Sequence, residues 1–177
     1  RMNSEELQRM CSKLTNAELK FFRNWPDRSI PTVSAGVYAI WDLTGRFIYV
    51  GMSGREISKR RNSIKPYGLV TRLGSHASGR LSGDQFCVYI ANRIIIPDLN
   101  QEDLAHFRDG SVTLDQYVKR YITNNLSYRF VLINDEKGAM ELEEHIRRFG
   151  LGCSLPFLNG KNGGGEGDQD FKGFKGW

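Results

Sequence analysis

Two residues that together could handle a phosphate group lie one helical turn apart in the middle of the chain. Arg72 and His76 flank apolar residues at helical spacing, so both side chains should project from the same side of a helix. An arginine offers a planar fork that matches two phosphate oxygens, and a histidine titrates near neutrality and can pass a proton. The alternative interpretation is a solvated basic helix face on which the histidine is incidental.

Two tyrosines should lie on one face of a β-hairpin. Gly36 to Asp42 and Phe47 to Val50 are rich in β-formers, and the residues between them are typical of a tight turn. A loop of two or four residues pairs Ile40 with Tyr49 and places Tyr38 on the same face, whereas a three-residue loop would separate the tyrosines. Such tyrosines can be core residues, a stacking platform for nucleic-acid bases, or members of a catalytic site.

Five elements resemble the motifs of the GIY-YIG nuclease family and follow that family's order. They are Gly36-Val37-Tyr38, Tyr49-Val50-Gly51, Arg72 to His76, Ala139 to Glu143 and Pro156 to Asn159. The first two resemble the signature triplets with valine in place of isoleucine. The others resemble the family's Arg-x-x-x-His helix, its catalytic-glutamate helix and its terminal Pro-x-Leu-Asn element. One triplet would carry little weight, whereas five elements in order predict membership.

The resemblance implies an α/β (α+β) fold, with a small, mostly antiparallel β-sheet flanked by helices. It implies an endonuclease that hydrolyses DNA by direct attack of water and needs Mg²⁺ or Mn²⁺. In this scheme Tyr38 activates or positions the water, and Tyr49 contacts the reacting phosphate or that water network. A free tyrosine titrates near ~10, so a base role needs cations or a metal nearby. Asn159, which alone would be read as a turn residue, would help to hold the site.

The sequence departs from the family at the arginine. The family places its arginine closer to the second tyrosine, where Arg60 stands, while Arg72 comes later. The spacing to His76 and the leucine after Arg72 favour Arg72, and Arg60 remains the alternative. Several cations in this region are candidates for contact with the DNA backbone, although each could equally be a solvated charge. They are Lys59, Arg60, Arg61, Lys65 and Arg80.

Three glutamates on one predicted amphipathic helix compete for the metal-ligand role that the resemblance implies. The apolar stripe of that helix consists of Ala139, Leu142, Ile146 and Phe149. At ~100° per residue, Glu143 lies ~80° from the centre of the stripe, Glu141 ~120°, and Glu144 nearly opposite, so Glu141 and Glu144 should point into solvent. A ligand at the rim between core and cleft should be Glu143, and one carboxylate with waters and a phosphate suits Mg²⁺. The alternative is a surface ion pair between Glu143 and Arg147.

Length and composition predict a globular chain with one main domain. The 177 residues carry a formal net charge of +5 at pH 7, which permits a polyanionic partner without proving one. No apolar run approaches the ~20 residues of a membrane helix. The partner that the resemblance implies is DNA, and no membrane partner is expected. Three widely spaced cysteines match neither a disulfide framework nor a zinc pattern, which favours a cytoplasmic, intracellular protein.

The predicted organisation has three parts: an N-terminal helical arm over residues 1–33, a nuclease-like domain over residues 34–160, and a mobile Gly-rich tail over residues 161–177. In the arm, Ser4 should cap one helix, and Thr15 should begin a second one that runs through Phe22.

The central domain should carry a helical insert at about residues 92–126. Within it, one helix should begin near Asn100 and another near Thr113. Phe86 to Ile90 and Ser127 to Ile133 are predicted strands.

Two other functions fit the same residues. One is a catalytically silent nucleic-acid-binding module, which the intact set of six catalytic-type residues argues against. The other is a nuclease that acts on RNA. The oligomeric state is open, with a homodimer as one candidate.

Overall fold

The computed structural model describes residues 2–60, 62–152 and 154–159, and the predicted tail, residues 161–177, lies outside them. The strands are β1 (Lys20–Phe21), β2 (Val33–Ser34), β3 (Gly36–Asp42), β4 (Phe47–Ser53), β5 (Tyr67–Gly68) and β6 (Leu126–Leu132). The α-helices are α1 (Ser4–Asn16), α2 (Ile57–Arg60), α3 (Leu69–Ser78), α4 (Gln85–Ile90), α5 (Gln101–Asp109), α6 (Leu114–Asn125) and α7 (Glu136–Phe149). Among the described residues, no helix has both the length and the apolar character needed to cross a membrane.

The main sheet is antiparallel, with its four strands in the order β1-β6-β3-β4, and β2 and β5 form a separate parallel pair. This arrangement confirms the predicted α+β class with a small, mostly antiparallel sheet. In the hairpin, Ile40 pairs with Tyr49 and Tyr38 pairs with Gly51. Tyr38 and Tyr49 therefore share a face, as predicted, and a register shift follows Ile40.

Helices cover both faces of the sheet. Along β3, Val37 and Ala39 face a core built with α1 and α7, while Tyr38 and Ile40 face the larger core that contains α3, α4 and α6. A strand covered on both faces must be apolar on both, which explains why residues 36–40 are all buried.

The predicted strand at residues 86–90 is wrong, because these residues form α4. A short run of β-formers cannot be distinguished from a buried helix by periodicity alone. Asp84 decides the outcome locally, since its Oδ1 accepts hydrogen bonds from the backbone N–H groups of Phe86 and Cys87. The helical path then continues through a π-helical turn, Ala91–Ile95, and a 3₁₀ turn, Ile96–Asp98.

The N-terminal arm is only partly the predicted pair of helices. The cap of α1 is Asn3 rather than Ser4, because the Asn3 side chain accepts from the N–H of Glu6. No helix begins at Thr15; Lys20–Phe21 forms the edge strand β1 against β6 instead. Phe22 then starts a 3₁₀ turn and packs its ring on Tyr128. Pairing with a distant strand has overridden the local capping pattern.

The remaining helix and strand predictions are confirmed. Asn100 caps α5 and Thr113 caps α6, each through a capping box. The strand predicted from Ser127 is β6, and the amphipathic glutamate helix is α7. One side chain on α7 differs: Phe149 is 60% exposed instead of facing the core, since the helix ends there beyond the sheet-covering stripe.

Candidate active site

A cleft of about 1120 Å³ is lined by β3, β4, α3 and α7, and it collects most of the predicted site residues. Tyr38, Tyr49, Arg72 and Glu143 all line it. His76 and Asn159 are buried behind this surface, and each is bonded to a strand that forms it. The structure therefore brings together all six residues that the sequence nominated.

A chain of two short hydrogen bonds runs inward from the cleft. The Tyr38 hydroxyl oxygen lies 2.7 Å from Nε2 of His76, and Nδ1 of His76 lies 2.7 Å from Oδ2 of Asp84. All three residues are at most 2% exposed. We call Tyr38, His76 and Asp84 the buried triad. Because His76 is enclosed in this way, it is not an incidental residue on a solvated helix face.

The ionisation of the buried triad follows from its burial. Burial lowers the pKa of His76, although the hydrogen bond and charge of Asp84 oppose this. Burial raises the pKa of the Asp84 carboxyl, but its hydrogen bond with His76 and the histidine charge outweigh burial and hold it at about 2. At neutral pH the histidine is therefore neutral and the aspartate is ionised.

Neither tyrosine ionises readily by itself. Burial, with a contribution from Tyr49, raises the pKa of Tyr38 well above its ordinary value, and Arg72 only partly opposes this. Burial and the charge of Glu143 raise the pKa of Tyr49 to about 12. Tyr38 can therefore act as a base at neutral pH only by passing its own proton to His76 as it accepts another.

The glycine of the second triplet lets the two tyrosines approach. Gly51 pairs with Tyr38 across the hairpin. A Cβ atom at this position would lie 2.5 Å from Cζ of Tyr38 and 3.0 Å from Cε1 of Tyr49. The first triplet has the same requirement, because a Cβ at Gly36 would lie 2.7 Å from Cδ1 of Leu69. Both glycines are there because no side chain fits.

Asn159 stabilises the strand that carries Tyr49. Its Oδ1 accepts a hydrogen bond from the N–H of Val50 at 2.8 Å, and its Nδ2 donates to the Val50 carbonyl at 2.7 Å. The preceding residue, Leu158, donates its N–H to the carbonyl of Ile48. The terminal segment thus covers the free edge of β4, and the asparagine holds the site from behind instead of facing the cleft.

The charged residues of the cleft are more loosely arranged. We call Arg55, Glu143, Arg147 and Arg148 the charged rim; all four line the cleft. Oε1 of Glu143 lies 3.6 Å from Nη1 of Arg147, so the predicted i,i+4 pair does form. Burial raises the pKa of Glu143, and Arg147 opposes the shift. Nε of Arg147 is buried and makes no hydrogen bond with any described residue.

The helical wheel was right about Glu143 and wrong about one neighbour. The side chain of Glu143 is 17% exposed at the edge of the cleft, while Glu144 is exposed and also lines it. Glu141 was expected to point into solvent, but its Oε2 accepts a hydrogen bond from the backbone N–H of Met2 at 2.6 Å. Nothing in the sequence of α7 indicates this contact with the N-terminal segment.

The donor set fits a metal that takes part of its ligands from the substrate. Among the described residues there is no group of three or more His, Cys, Asp or Glu side chains that could hold a metal ion. Glu143 supplies one carboxylate beside the arginines of the cleft. Mg²⁺ typically binds through one or two carboxylates, substrate phosphate oxygens and waters, so a single glutamate is compatible with it.

The four described cations among those nominated for DNA contact do not line the cleft. Lys59 pairs with Glu56 at 2.5 Å, and the guanidinium of Arg60 lies 5.1 Å from the ring centroid of Tyr67. Lys65 and Arg80 are exposed outside the cleft, and Arg61 lies outside the described residues. Besides Arg72, three arginines line it that the sequence had not nominated for substrate contact: Arg55, Arg147 and Arg148. The i+4 spacing from Glu143 was the available signal for Arg147.

Asp84 is the other residue that sequence reasoning missed. The signal was an aspartate directly before an apolar run and after a glycine, which is a pattern typical of a helix cap. Assigning residues 86–90 to a strand concealed it.

A scan against models of known protein families and searches of the curated proteins and the solved structures found no match.

Proposed function

We propose that this protein is a metal-dependent endonuclease with a GIY-YIG-type fold that hydrolyses phosphodiester bonds in DNA. The observation that carries the proposal is the convergence of Tyr38, Tyr49, Arg72 and Glu143 on one cleft. These residues come from four different elements, so their meeting does not follow from local spacing. The order of the motifs in the sequence and the geometry of the cleft support the same conclusion independently.

The charge and size of the cleft favour a polymeric anion. Four arginines line it, Arg72 and the three of the charged rim, against two glutamates. Of these arginines, Arg55, Arg72 and Arg148 form no salt bridge with a described residue. The volume of about 1120 Å³ exceeds the ~300–1,000 Å³ typical of small-molecule pockets.

In the proposed reaction, a water molecule attacks phosphorus while the bond to the bridging leaving oxygen breaks. The water gives one proton to the Tyr38 oxygen as the hydroxyl proton of Tyr38 moves to Nε2 of His76, 2.7 Å away. The leaving oxygen takes up a proton from solvent. Tyr38 then releases its hydroxyl proton to the cleft as His76 returns the transferred proton to the Tyr38 oxygen. Tyr49, beside Tyr38, orients the phosphate or the attacking water.

Charge that develops on the phosphate is stabilised by Arg72, whose fork matches two phosphate oxygens. Glu143 would hold the divalent metal, Mg²⁺ or Mn²⁺. When bound, such an ion supplies further charge stabilisation for the phosphate and the leaving oxygen. Asn159 keeps β4, and with it Tyr49, in position.

The test is incubation of the purified protein with supercoiled plasmid and with labelled DNA and RNA oligonucleotides, each with Mg²⁺, Mn²⁺ or excess EDTA. We expect metal-dependent nicking or cutting of DNA that EDTA abolishes. Binding of DNA without cleavage in any metal would show a silent module. Cleavage of RNA but not of DNA would show that the substrate is RNA. Robust cleavage in EDTA would overturn the metal dependence.

A further inference from the structure

We propose that Asp84 is a positioning residue that holds His76 in the one tautomer able to accept the proton of Tyr38. This inference rests on the proposed nuclease function, because it assigns Asp84 a part in the same proton transfer. Asp84 belongs to none of the five motif elements and does not line the cleft. It acts only through His76.

The hydrogen-bond geometry determines the tautomer. A carboxylate only accepts hydrogen bonds, so the 2.7 Å contact with Oδ2 of Asp84 requires that Nδ1 of His76 carries the proton. In a neutral imidazole Nε2 is then bare. Nε2 faces the Tyr38 hydroxyl at 2.7 Å, so the phenol donates and the histidine accepts. If Nε2 carried the proton instead, it would either face the hydroxyl proton of Tyr38 or donate to the Tyr38 oxygen, so that the hydrogen bond ran in the opposite direction.

The ring of His76 is also prevented from turning away. It packs against Phe86 with 4.5 Å between ring centroids, and against the edge of Tyr49 at 6.1 Å. Tyr38 and Asp84 hold its two nitrogens from opposite ends. When the proton of Tyr38 arrives at Nε2, the imidazolium that forms keeps both N–H groups hydrogen-bonded, and the adjacent carboxylate stabilises its charge.

The two oxygens of Asp84 have separate tasks, which makes the proposal testable. Oδ1 caps α4 by accepting from the N–H groups of Phe86 and Cys87 at 3.0 and 3.3 Å, while Oδ2 serves His76. The carboxylate also accepts from the hydroxyl of Ser75. An asparagine could satisfy the cap as well as an aspartate does. Only a carboxylate can accept at both oxygens.

The deciding variant is Asp84→Asn. Its carbonyl oxygen must stay on the two backbone N–H groups, so its amide N–H₂ faces Nδ1 of His76 and turns that atom into an acceptor. The proton then moves to Nε2, and the bond to Tyr38 reverses. We expect the single-turnover rate of DNA cleavage at saturating DNA to fall by ~10²–10⁴, the range of general acid–base catalysis, with DNA affinity nearly unchanged.

A spectroscopic measurement accompanies the rate. In ¹⁵N-labelled protein, His76 should show the Nδ1–H tautomer in the wild type and the Nε2–H tautomer in Asp84→Asn. Asp135→Asn is the matched control, because it makes the same chemical change at the cap of a different helix, α7, where Asp135 accepts from the N–H of Gly138. It should leave both the rate and the His76 spectrum unchanged.

Three results would overturn the proposal. The wild type could show His76 as the Nε2–H tautomer, which can be measured even if Asp84→Asn does not fold. The variant could switch tautomer and still cleave at the wild-type rate. The control could lose as much rate as Asp84→Asn. A wild type that does not cleave would instead refute the nuclease function, while the spectra would still show whether Asp84 sets the tautomer.

Discussion

The buried triad meets the cleft only through Tyr38, whereas the charged rim lines it, and the two are built in opposite ways. In the triad, Tyr38, His76 and Asp84 are enclosed by apolar residues and joined by two bonds of 2.7 Å. In the rim, Glu143 and Arg147 are partly open to solvent, and their closest atoms are 3.6 Å apart. The triad contains polar groups that must be satisfied inside the fold, whereas the groups of the rim can exchange one partner for another.

This difference indicates which part of the site is preorganised. Buried polar groups hold one geometry, because any other leaves a donor or acceptor without a partner. The triad therefore already has the geometry that the proposed proton transfer requires. In the proposed reaction, a phosphate and a metal would complete the hydrogen bonding and charge of the rim. Substitutions in the triad and in the rim should therefore change cleavage rate, DNA affinity and stability in different ways.

The largest effect should come from removing the carboxylate of the charged rim. Glu143→Gln should lower the cleavage rate by ~10³-fold or more, since a metal ligand stabilises transition-state charge. DNA affinity should hold or rise, because repulsion of phosphate falls. Rates and affinities of three single Gln variants decide the matter. Glu141→Gln, outside the cleft, and Glu144→Gln, on its exposed side, should cut nearly normally. A dead Glu144→Gln beside an active Glu143→Gln would reassign the ligand.

The next largest effect should come from the hydroxyl of the buried triad. Tyr38→Phe keeps the ring in the core and removes the group that exchanges protons, so the rate should fall by at least ~10². The matched control is Tyr128→Phe, another buried strand tyrosine whose hydroxyl donates to Asp27 at 2.9 Å. Both variants should lose ~1 kcal/mol of unfolding free energy with the hydrogen bond. Equal loss of rate in both would mean that Tyr38 has only a structural role.

Arg72 lies at the junction of the two parts and should separate rate from affinity. Arg72→Ala should lower the rate on the order of 10²-fold, because it removes a stabiliser of transition-state charge. Arg60→Ala, outside the cleft, should mainly weaken DNA binding and reduce its salt dependence by about one phosphate contact. Rates and salt titrations for the two variants are the measurements. The reverse pattern would transfer the proposed role of Arg72 to Arg60.

The smallest effect is the dependence of folding stability on pH, and its slope should have opposite signs for His76 in the triad and Glu143 in the rim. Burial lowers the pKa of His76 below 6.5, so the unfolded chain binds a proton more readily and stability is lost as pH falls through this range. Burial raises the pKa of Glu143 above 4.5, so its contribution is full below that value and is lost as pH rises. Each slope should stay below ~1.4 kcal/mol per pH unit.

The measurement is the unfolding free energy against pH for the wild type, His76→Gln and Glu143→Gln. The difference between the wild type and His76→Gln should shrink as pH falls, and the difference for Glu143→Gln should change in the opposite direction. Parallel curves for the two variants would show that the triad and the rim do not differ in this way.

Local sequence predicted those elements whose cause is local. The β-formers and the turn residues predicted the hairpin, but they left the loop length open. Next to the turn Trp41 pairs with Phe47, and the register shift after Ile40 is what places Tyr38 and Tyr49 on one face. The starts of α5 and α6 follow from capping boxes that are complete within four residues. The buried stripe of α7, apart from Phe149, follows from helical periodicity, and this placed Glu143 at the edge of the core.

Predictions failed where a distant partner decides the structure. The local pattern at Thr15 was typical of a helix start, but pairing with β6 made Lys20–Phe21 a strand. Glu141 was predicted to point into solvent. This failed because its hydrogen-bond partner, Met2, is 139 positions away in the sequence. One failure has a local cause: the apolar run after Asp84 was compatible with either a strand or a helix, and the cap at Asp84, which the strand prediction overlooked, begins α4.

The sequence by itself determined which chemical groups are present, their order along the chain and the faces that carry them. The tertiary structure alone decided that His76 is buried between Tyr38 and Asp84, and that Arg147 and Arg148, rather than Lys59 and Arg60, line the cleft. The physical reason is that sequence spacing and periodicity specify only which way a side chain points from its own helix or strand. Burial, pKa and hydrogen-bond partners depend on which elements pack together, and that depends on the whole chain.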